Sequence, residues 1–350
     1  MAELRYFEDL EVGEQLDLGQ VALTEADIIA FAKQYDPQPM HLDPEAGRAT
    51  VLKGLAASGW HTCAAATPGY VRGFSETVRA LGGAGVDYCR WIKPCYPAER
   101  AGPIHISMEI EALKRSQSRP ELGFVGVRVD VRQRDPDAGA DAEPRLICAQ
   151  AFRPMVETRG PASAAPRPAQ ETRADPRALA GGVSEAVSPA EGFAFANAGE
   201  VTLGQRTALG ESAFTAEEII AFAQAFDPHW FHLSEEAGRR SFFKGLAASG
   251  WEVMCRGMRK IVEARIEAIG ALPADRAMAA MEGMGPSPGF RNLRWLRPTY
   301  AGDTLRYFMT PFEFLRREGR SWVVLRMRIE AVNQRGEPVA RSDNEVLLRP

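Results

Sequence analysis

The feature that most constrains the fold of this chain is a repeat the size of a whole domain. Its clearest part is an eight-residue block, KGLAASGW, that occurs unchanged at residues 53–60 and 244–251. Asp227 follows Asp36 by 191 residues, and the same offset aligns the chain without a gap from residue 12 to residue 60. Solenoid repeats span only roughly 20–50 residues, so this period indicates a tandem duplication of a folded domain.

The length of 350 residues and the hydrophobic content of 45% suit two ordinary globular domains. Between the repeats lies a stretch rich in alanine, proline and glycine, which predicts an extended surface linker. The predicted limits are 1–157 for the first domain, 158–192 for the linker and 193–350 for the second domain.

The charge, the apolar runs and the cysteines limit the expected binding partners and cellular compartment. The net charge is −4 and arginines are scattered among acids, so nucleic acid is not expected as a partner. No apolar run approaches the ~20 residues of a membrane span, and residues 1–9 lack the apolar core of a signal peptide. Five cysteines without a CxxC motif favour reduced thiols and a cytoplasmic location.

Each half predicts the same order of elements. A short strand (16–23 and 207–214) leads into a helix that begins with a capping box at Thr24 or Thr215. An acid–histidine segment separates this helix from a longer one, rich in small residues. The longer helices are predicted at 55–79 and 246–269, and the later strands at 104–110, 125–131, 145–156, 304–315, 321–333 and 338–348. A buried helix followed by an antiparallel sheet, twice, predicts an α+β fold.

The second half carries extra residues. The motif at residues 90–96, RWIKPCY, matches residues 294–300, RWLRPTY, at an offset of 204 rather than 191. We place the extra residues in a Gly- and Pro-rich loop at 282–291, because loops tolerate insertions. The motif itself is expected to form a structural corner that leads into the sheet.

The candidate site is the acid–histidine segment. Asp36 and His41 lie five residues apart around two prolines, and Asp227 and His232 repeat the spacing. Proline fixes φ and restricts the residue before it, so the first segment is predicted to be a stiff loop rather than a helix or strand. A helix stop beside a structural histidine is the simpler interpretation. Identical spacing in both copies argues against it, although duplication copies structure as well as function.

These motifs resemble the MaoC-like dehydratases, which include the R-specific enoyl-CoA hydratases. The family's loop has the pattern D-x-N-P-x-H, followed by a central helix that begins near a glycine and later by R-W-x-x-P-x-Y. The first copy has Gln38 in place of the Asn and keeps Pro39. The second copy has His229 and Trp230 at those places. The resemblance covers nearly the whole chain apart from the linker, as two successive units.

The resemblance implies two tandem hot-dog domains that form an internal pseudo-dimer, with both long helices on one continuous curved sheet. It implies a hydro-lyase that hydrates 2-enoyl-CoA or dehydrates 3-hydroxyacyl-CoA. The catalytic pair would be Asp36 and His41. Asp227 and His232 would be a second or vestigial site, since their loop departs further from the family pattern.

The resemblance also implies how the reaction would run. The aspartate would act as base on a water, and the histidine would orient that water and carry a proton to the α-carbon, with the division of the two transfers left open. Gly59 and Gly250 would offer backbone N–H groups to the thioester carbonyl. No cofactor and no metal are expected. The partner would be an acyl-CoA or acyl-carrier-protein thioester, and pairing of the tandem chain as a homodimer is left open.

Three alternatives remain at this point. A hot-dog thioesterase would have an acid without a neighbouring histidine in the loop, which both copies contradict. A non-catalytic acyl-thioester-binding protein would keep only the fold. Asp227, His229 and His232 offer three metal ligands within six residues, but no second ligand cluster supports a metal site.

Overall fold

The computed structural model describes residues 3–139, 142–160, 186–316, 319 and 321–350. The elements of the first half are β1 (Gln15–Val21), α1 (Glu25–Tyr35), α2 (Pro39–Leu42), α3 (Pro44–Arg48), α4 (Gly59–Gly73), β2 (Ala80–Trp91), α5 (Ala98–Ala101), β3 (Ile104–Arg115), β4 (Leu122–Gln133) and β5 (Arg145–Glu157). Those of the second half are α6 (Pro189–Gly192), β6 (Thr207–Ala213), α7 (Ala216–Phe226), α8 (Glu235–Arg240), α9 (Gly250–Gly270), α10 (Ala274–Gly283), β7 (Gly289–Trp295), β8 (Thr304–Leu315), β9 (Val323–Asn333) and β10 (Pro338–Leu348).

The ten strands in the described part of the chain belong to one sheet, in the order β1-β3-β4-β5-β2-β7-β10-β9-β8-β6. The order of the first five strands is mirrored in the last five, and every neighbouring pair is antiparallel. The two halves meet where β2 pairs with β7, from Gly85 opposite Arg294 to Arg90 opposite Gly289. The predicted internal pseudo-dimer on one continuous sheet is therefore confirmed.

The two halves share a single apolar core. Strands such as β9 alternate buried and partly exposed residues, as expected for a sheet with one face on the core. Trp60 of α4 stacks on Phe290 of β7, with ring centroids 4.8 Å apart, and Phe31 of α1 meets Phe226 of α7 edge-on at 5.5 Å. One cluster of buried side chains runs through both halves. Among the helices that the structure describes, none combines the length and hydropathy needed to cross a bilayer.

The long helices begin four residues later than predicted, at Gly59 and Gly250. The residues before them are extended because their backbone pairs elsewhere: the N–H of Ala57 donates to the carbonyl of Cys95 at 2.8 Å. The predicted end at residue 79 was also wrong. α4 ends at Gly73, and a 3₁₀ turn at Ser75–Thr77 leads directly into β2.

The sequence prediction missed β2 and β7 and misplaced the insertion. β2 contains three glycines and several register shifts, so its side chains do not alternate simply between apolar and polar. The predicted loop at 282–291 is the end of α10 and the start of β7. The inserted residues instead lengthen α9, which has 21 residues against 15 in α4, and add α10, whose sequence ADRAMAAMEG consists largely of strong helix formers.

The structure describes only part of the predicted linker. Residues 161–185 of it lie outside the described residues, so the limits of the two domains stay predictions. At its C-terminal end, Val187 bridges Thr207 of β6, and the turn α6 lies inside the predicted linker. Contacts with the second half are thus present before the predicted boundary at residue 193.

The core contains a neutral histidine whose protonation opposes folding. His61 stacks on Phe31 with ring centroids 4.3 Å apart, and its buried Nδ1 has no hydrogen-bond partner among the residues that the structure describes. Burial lowers its pKa from 6.5 to about 3. The unfolded chain therefore takes up a proton below pH 6.5 that the folded chain does not, and stability is lost as the pH falls from 6.5 towards 3.

We expect His61→Phe to keep the stacking on Phe31 and to remove this pH dependence. Urea unfolding at pH 6.5 and pH 5.5 should show that the wild type loses about 1 kcal/mol more than the variant across that unit. Equal losses in both proteins would contradict the assignment.

Candidate active site

Each candidate aspartate lies at the C-terminal end of a short helix. Asp36 caps α1 and its N–H donates to the carbonyl of Ala32 at 2.9 Å. Asp227 caps α7 and donates to Ala223 at the same distance. A proline follows in both copies and ends the helix there. The carboxyl groups are buried, with only 3% and 5% of each residue exposed, so the local sequence fixes two acids inside the fold.

The histidines lie on short helical turns, which corrects the predicted loop. In the first copy Pro39 occupies the first position of α2, where proline favours helix formation because the missing N–H would have no acceptor. In the second copy residues 230–232 form a 3₁₀ turn without proline. His41 Nδ1 lies 2.7 Å from the carbonyl of Ala56, and His232 Nδ1 lies 2.7 Å from that of Ala247. Replacement of the proline by Trp230 therefore leaves the histidine in an equivalent place.

A serine hydroxyl joins each aspartate to the start of the long helix. Ser58 donates to Asp36 Oδ2 at 2.5 Å and caps α4 by accepting from Trp60 N–H. Ser249 makes the same donation to Asp227 Oδ2, also at 2.5 Å. No role for these serines follows from the sequence pattern alone. Their place before a glycine at a predicted helix start was the signal for the cap, but nothing local pointed to the carboxylate.

The aspartate and histidine of each pair face one another at a distance too long for a direct hydrogen bond. His41 Nε2 lies 3.7 Å from Asp36 Oδ2, and His232 Nε2 lies 3.9 Å from Asp227 Oδ2. Because Nδ1 faces a carbonyl acceptor, it carries the proton of the neutral ring, and Nε2 is left as an acceptor. Two acceptors at this separation leave room for a water about 2.8 Å from each, which would donate one proton to the carboxylate and one to the imidazole.

The electrostatics of the second pair keep the acid ionised and the imidazole neutral. Burial alone would raise the pKa of Asp227, but the neighbouring His229 and His232 and the hydrogen bonds from His229 and Ser249 lower it to about 2. Burial lowers the pKa of His232, although Asp227 opposes that shift. At neutral pH both groups are therefore acceptors.

The two copies differ in the partner of the other carboxylate oxygen. Gln38 Nε2 donates to Asp36 Oδ1 at 2.8 Å. In the second copy His229 Nδ1 lies 2.5 Å from Asp227 Oδ1, and its Nε2 lies 2.8 Å from the hydroxyl of Ser75 in the first half. Both nitrogens of His229 are thus occupied by protein groups, which disfavours the metal interpretation of this loop.

The glycines at the helix starts are required by close packing. A Cβ on Gly59 would lie 2.3 Å from the indole of Trp91, and one on Gly250 would lie 2.2 Å from that of Trp295. Their proposed role as N–H donors stays a prediction. The tyrosine of each Arg-Trp motif fixes the preceding loop: Tyr96 OH donates to the carbonyl of Leu52 at 2.6 Å. These contacts agree with a structural role for the motif.

The second pair opens into a cavity of about 460 Å³ built by both halves. Asp227, His229 and His232 lie in its wall. Aromatic side chains make up much of the remainder, contributed by Tyr70 and Phe152 from the first half and by Phe231, Phe243, Trp251, Trp295 and Tyr300 from the second. The cavity therefore offers an apolar compartment next to the acid–histidine pair.

Three of the five cysteines meet in the core, which sequence spacing gave no reason to expect. Cys89 Sγ lies 3.4 Å from Cys63 Sγ and 3.8 Å from Cys148 Sγ, and all three residues are buried. Within the described part of the chain, their thiols form a group close enough to hold a metal ion. The equivalent positions of the second half are apolar, for example Met254 and Leu293. The thiols thus fill core positions, and the expectation of no metal is left as it stands.

Two family models match the chain. A model described as "MaoC like domain" matches residues 9–131, and a model described as "FAS1-like, dehydratase domain region" matches residues 202–342. Among curated proteins, the uncharacterized protein YdeM of Bacillus subtilis is 27% identical over 120 residues, which cover 34% of this chain and 82% of that protein.

Solved structures resemble the chain over its whole length. A MaoC domain dehydratase of Chloroflexus aurantiacus gives a TM-score of 0.71 at 15% identity. The superposition covers 100% of this chain and 98% of the Chloroflexus chain. A conserved hypothetical protein of Mycobacterium tuberculosis with a double hotdog fold gives a TM-score of 0.65 at 14% identity and covers 98% of both chains. At these identities the likeness establishes the fold, and it confirms the predicted tandem hot-dog architecture.

We expect Ser249→Ala to cost more stability than loss of a helix cap alone. Ser234 serves as the matched control, because it caps α8 by accepting from Ala237 N–H and contacts no buried acid through its hydroxyl. Loss of that cap should lower the free energy of unfolding by about 1 kcal/mol. Ser249→Ala also removes a hydrogen bond to a buried carboxylate, and should cost about 2–4 kcal/mol. Equal losses in urea unfolding would show that Ser249 acts as a cap only.

Proposed function

This chain belongs to the MaoC-like dehydratase family, and we propose that it catalyses the reversible hydration of 2-enoyl thioesters to 3-hydroxyacyl thioesters. The matched family descriptions support a hydratase or dehydratase kind of reaction. The thiol carrier would be coenzyme A or the pantetheine of an acyl carrier protein.

One observation carries the proposal: the same three-residue arrangement is built twice. In both copies a serine donates to Asp Oδ2 at 2.5 Å, and a histidine Nε2 lies 3.7–3.9 Å from that oxygen. Burying a carboxylate is costly unless it is hydrogen-bonded or paired. A buried, hydrogen-bonded acid beside an open histidine nitrogen, built twice, therefore suits proton transfer better than mere binding of an acyl group.

In the hydration direction the bound water attacks C3 of the enoyl group. Its oxygen forms the new C–O bond, and one of its protons passes to the neutral imidazole of His232, while the low pKa of Asp227, about 2, keeps that carboxylate ionised. Asp227 orients the water through its second proton and stabilises the imidazolium. The α-carbon is then protonated from Nε2, which restores the neutral ring. His41 and Asp36 would act in the same way.

The thioester oxygen gains negative charge during this step. The first N–H groups of a helix have no acceptor within the helix and point along the positive end of its dipole. Gly59 and Gly250 begin α4 and α9, next to the serine of each site. We assign their N–H groups to the thioester oxygen, as preorganised donors of the kind that stabilise enolates. The apolar cavity beside the second pair would receive the acyl chain.

We expect both sites to turn over, because their geometry agrees within 0.2 Å. Asp36→Asn and Asp227→Asn should each leave a substantial part of the wild-type kcat. The double variant should lose about 10²–10⁴-fold, the usual contribution of general acid–base catalysis. The measurement is the loss of enoyl absorbance with short and medium 2-enoyl-CoA substrates.

The control is Asp17→Asn, a change on the half-exposed strand β1 that should leave the rate unaltered. A double variant that hydrates enoyl-CoA at the wild-type rate would overturn the proposal. So would a wild-type protein that hydrates no enoyl-CoA of any chain length.

A further inference from the structure

The second site contains a group of side chains that the first site does not have. His229 lies between an acid and a hydroxyl: Nδ1 is 2.5 Å from Asp227 Oδ1, and Nε2 is 2.8 Å from Ser75 Oγ. Ser75 comes from the other half of the chain, 154 residues away, at the start of the 3₁₀ turn that follows α4. All three side chains lie in the wall of the 460 Å³ cavity.

The direction of the hydrogen bonds follows from the acid. An ionised carboxylate only accepts, so Nδ1 of His229 must carry a proton and donate it to Asp227. In the neutral ring Nε2 is then an acceptor, and the hydroxyl of Ser75 donates to it. A hydroxyl that donates to a histidine whose other nitrogen is fixed by a carboxylate is the arrangement of an activated nucleophile, and it is recognised by geometry rather than by sequence order.

We propose that Ser75, His229 and Asp227 form a nucleophilic site that hydrolyses acyl thioesters in the cavity of the second half. The substrate class is that of the proposed function, on which this inference rests. Ser75 would be the nucleophile, His229 the general base and acid, and Asp227 the group that orients the imidazole. Asp227 would serve both reactions through different oxygens, Oδ1 towards His229 and Oδ2 towards His232.

The reaction is balanced without a further cofactor. Ser75 Oγ attacks the thioester carbonyl carbon as its proton moves to His229 Nε2. The C–S bond breaks, the thiol leaves with that proton, and the acyl group stays on Ser75 as an ester. A water then attacks the ester, gives one proton to His229, and releases the carboxylic acid as the serine hydroxyl is restored.

The first copy cannot build this group. Gln38 occupies the place of His229, and a side-chain amide cannot take up a proton from a hydroxyl. The turn that carries Ser75 follows the end of α4 at Gly73, whereas α9 continues to Gly270, so that at the 191-residue offset the second half has Ile266 inside a helix, without a hydroxyl and 60% exposed. The duplication therefore supplies an internal comparison: the hydration geometry is present twice, and the Ser–His–Asp geometry once.

The test uses butyryl-CoA, a saturated thioester that has no double bond to hydrate. The full chain should release free CoA thiol, measured against a blank of protein alone. Ser75→Ala and His229→Gln should each lower that rate at least 100-fold; the glutamine reproduces the residue of the first copy and keeps a donor to Asp227. Thr77→Ala, in the same turn with its hydroxyl on the Phe74 carbonyl, should stay within twofold of the wild type. Thermal unfolding of each variant reports folding separately.

A second variant tests acyl transfer to residue 75 when hydrolysis of the acyl-enzyme is slow. Ser75→Cys should take the butyryl group by thioester exchange, and intact-mass measurement should show one added acyl group that Ser75→Ala lacks. A wild type that releases no thiol and forms no acyl-enzyme overturns the inference, even when 2-enoyl-CoA is hydrated. Ser75→Ala releasing thiol at the wild-type rate does the same, and leaves Ser75 as an anchor for His229. Enoyl absorbance, read in parallel, reports the proposed function independently.

Discussion

The pairing of β2 with β7 is the contact on which the rest of the structure depends. It joins two five-stranded sheets into one and brings the apolar faces of both halves into a single core. Trp60 of α4, in the first half, stacks on Phe290 of β7, in the second half, because the pairing of β2 with β7 brings the two halves together. The same seam places Ser75 beside His229. A separated half would expose an unpaired strand edge and half of an apolar core, so the cavity and the fold depend on the same interface.

The two copies share the contacts of one carboxylate oxygen and differ in those of the other. Oδ2 of each aspartate keeps its serine and its histidine. The serine also caps the long helix, so a change there would disturb both the helix start and the acid. Oδ1 is met by a residue two positions along the chain, which has no part in the core. Gln38 and His229 could therefore diverge without loss of the fold.

What the sequence revealed depended on how local the determining interactions were. The capping boxes at Thr24 and Thr215 involve residues three apart, and the structure shows both as predicted. The strands whose side chains alternate between apolar and polar were predicted to within a few residues of their observed ends, because this alternation is also a local pattern. β2 was missed because glycines and bulges hide its period. The Asp–His pairs themselves could be picked out because a duplicated spacing is visible without any tertiary contact, whereas their roles still rest on the proposals above.

The parts of the site that sequence could not reveal are those made by tertiary contacts. Nothing near Ser75 distinguishes it from a solvated serine at a helix end, since its partner lies 154 residues away. Loss of the proline in the second loop predicts a weaker site. The histidine is instead held by its Nδ1 on the carbonyl of Ala247, just before the long helix. The same hydrogen bond holds His41 on the carbonyl of Ala56 in the copy that keeps its proline, so the position of the histidine depends on this backbone contact in both copies. Departure from a loop pattern therefore does not by itself measure departure from the geometry that the loop produces.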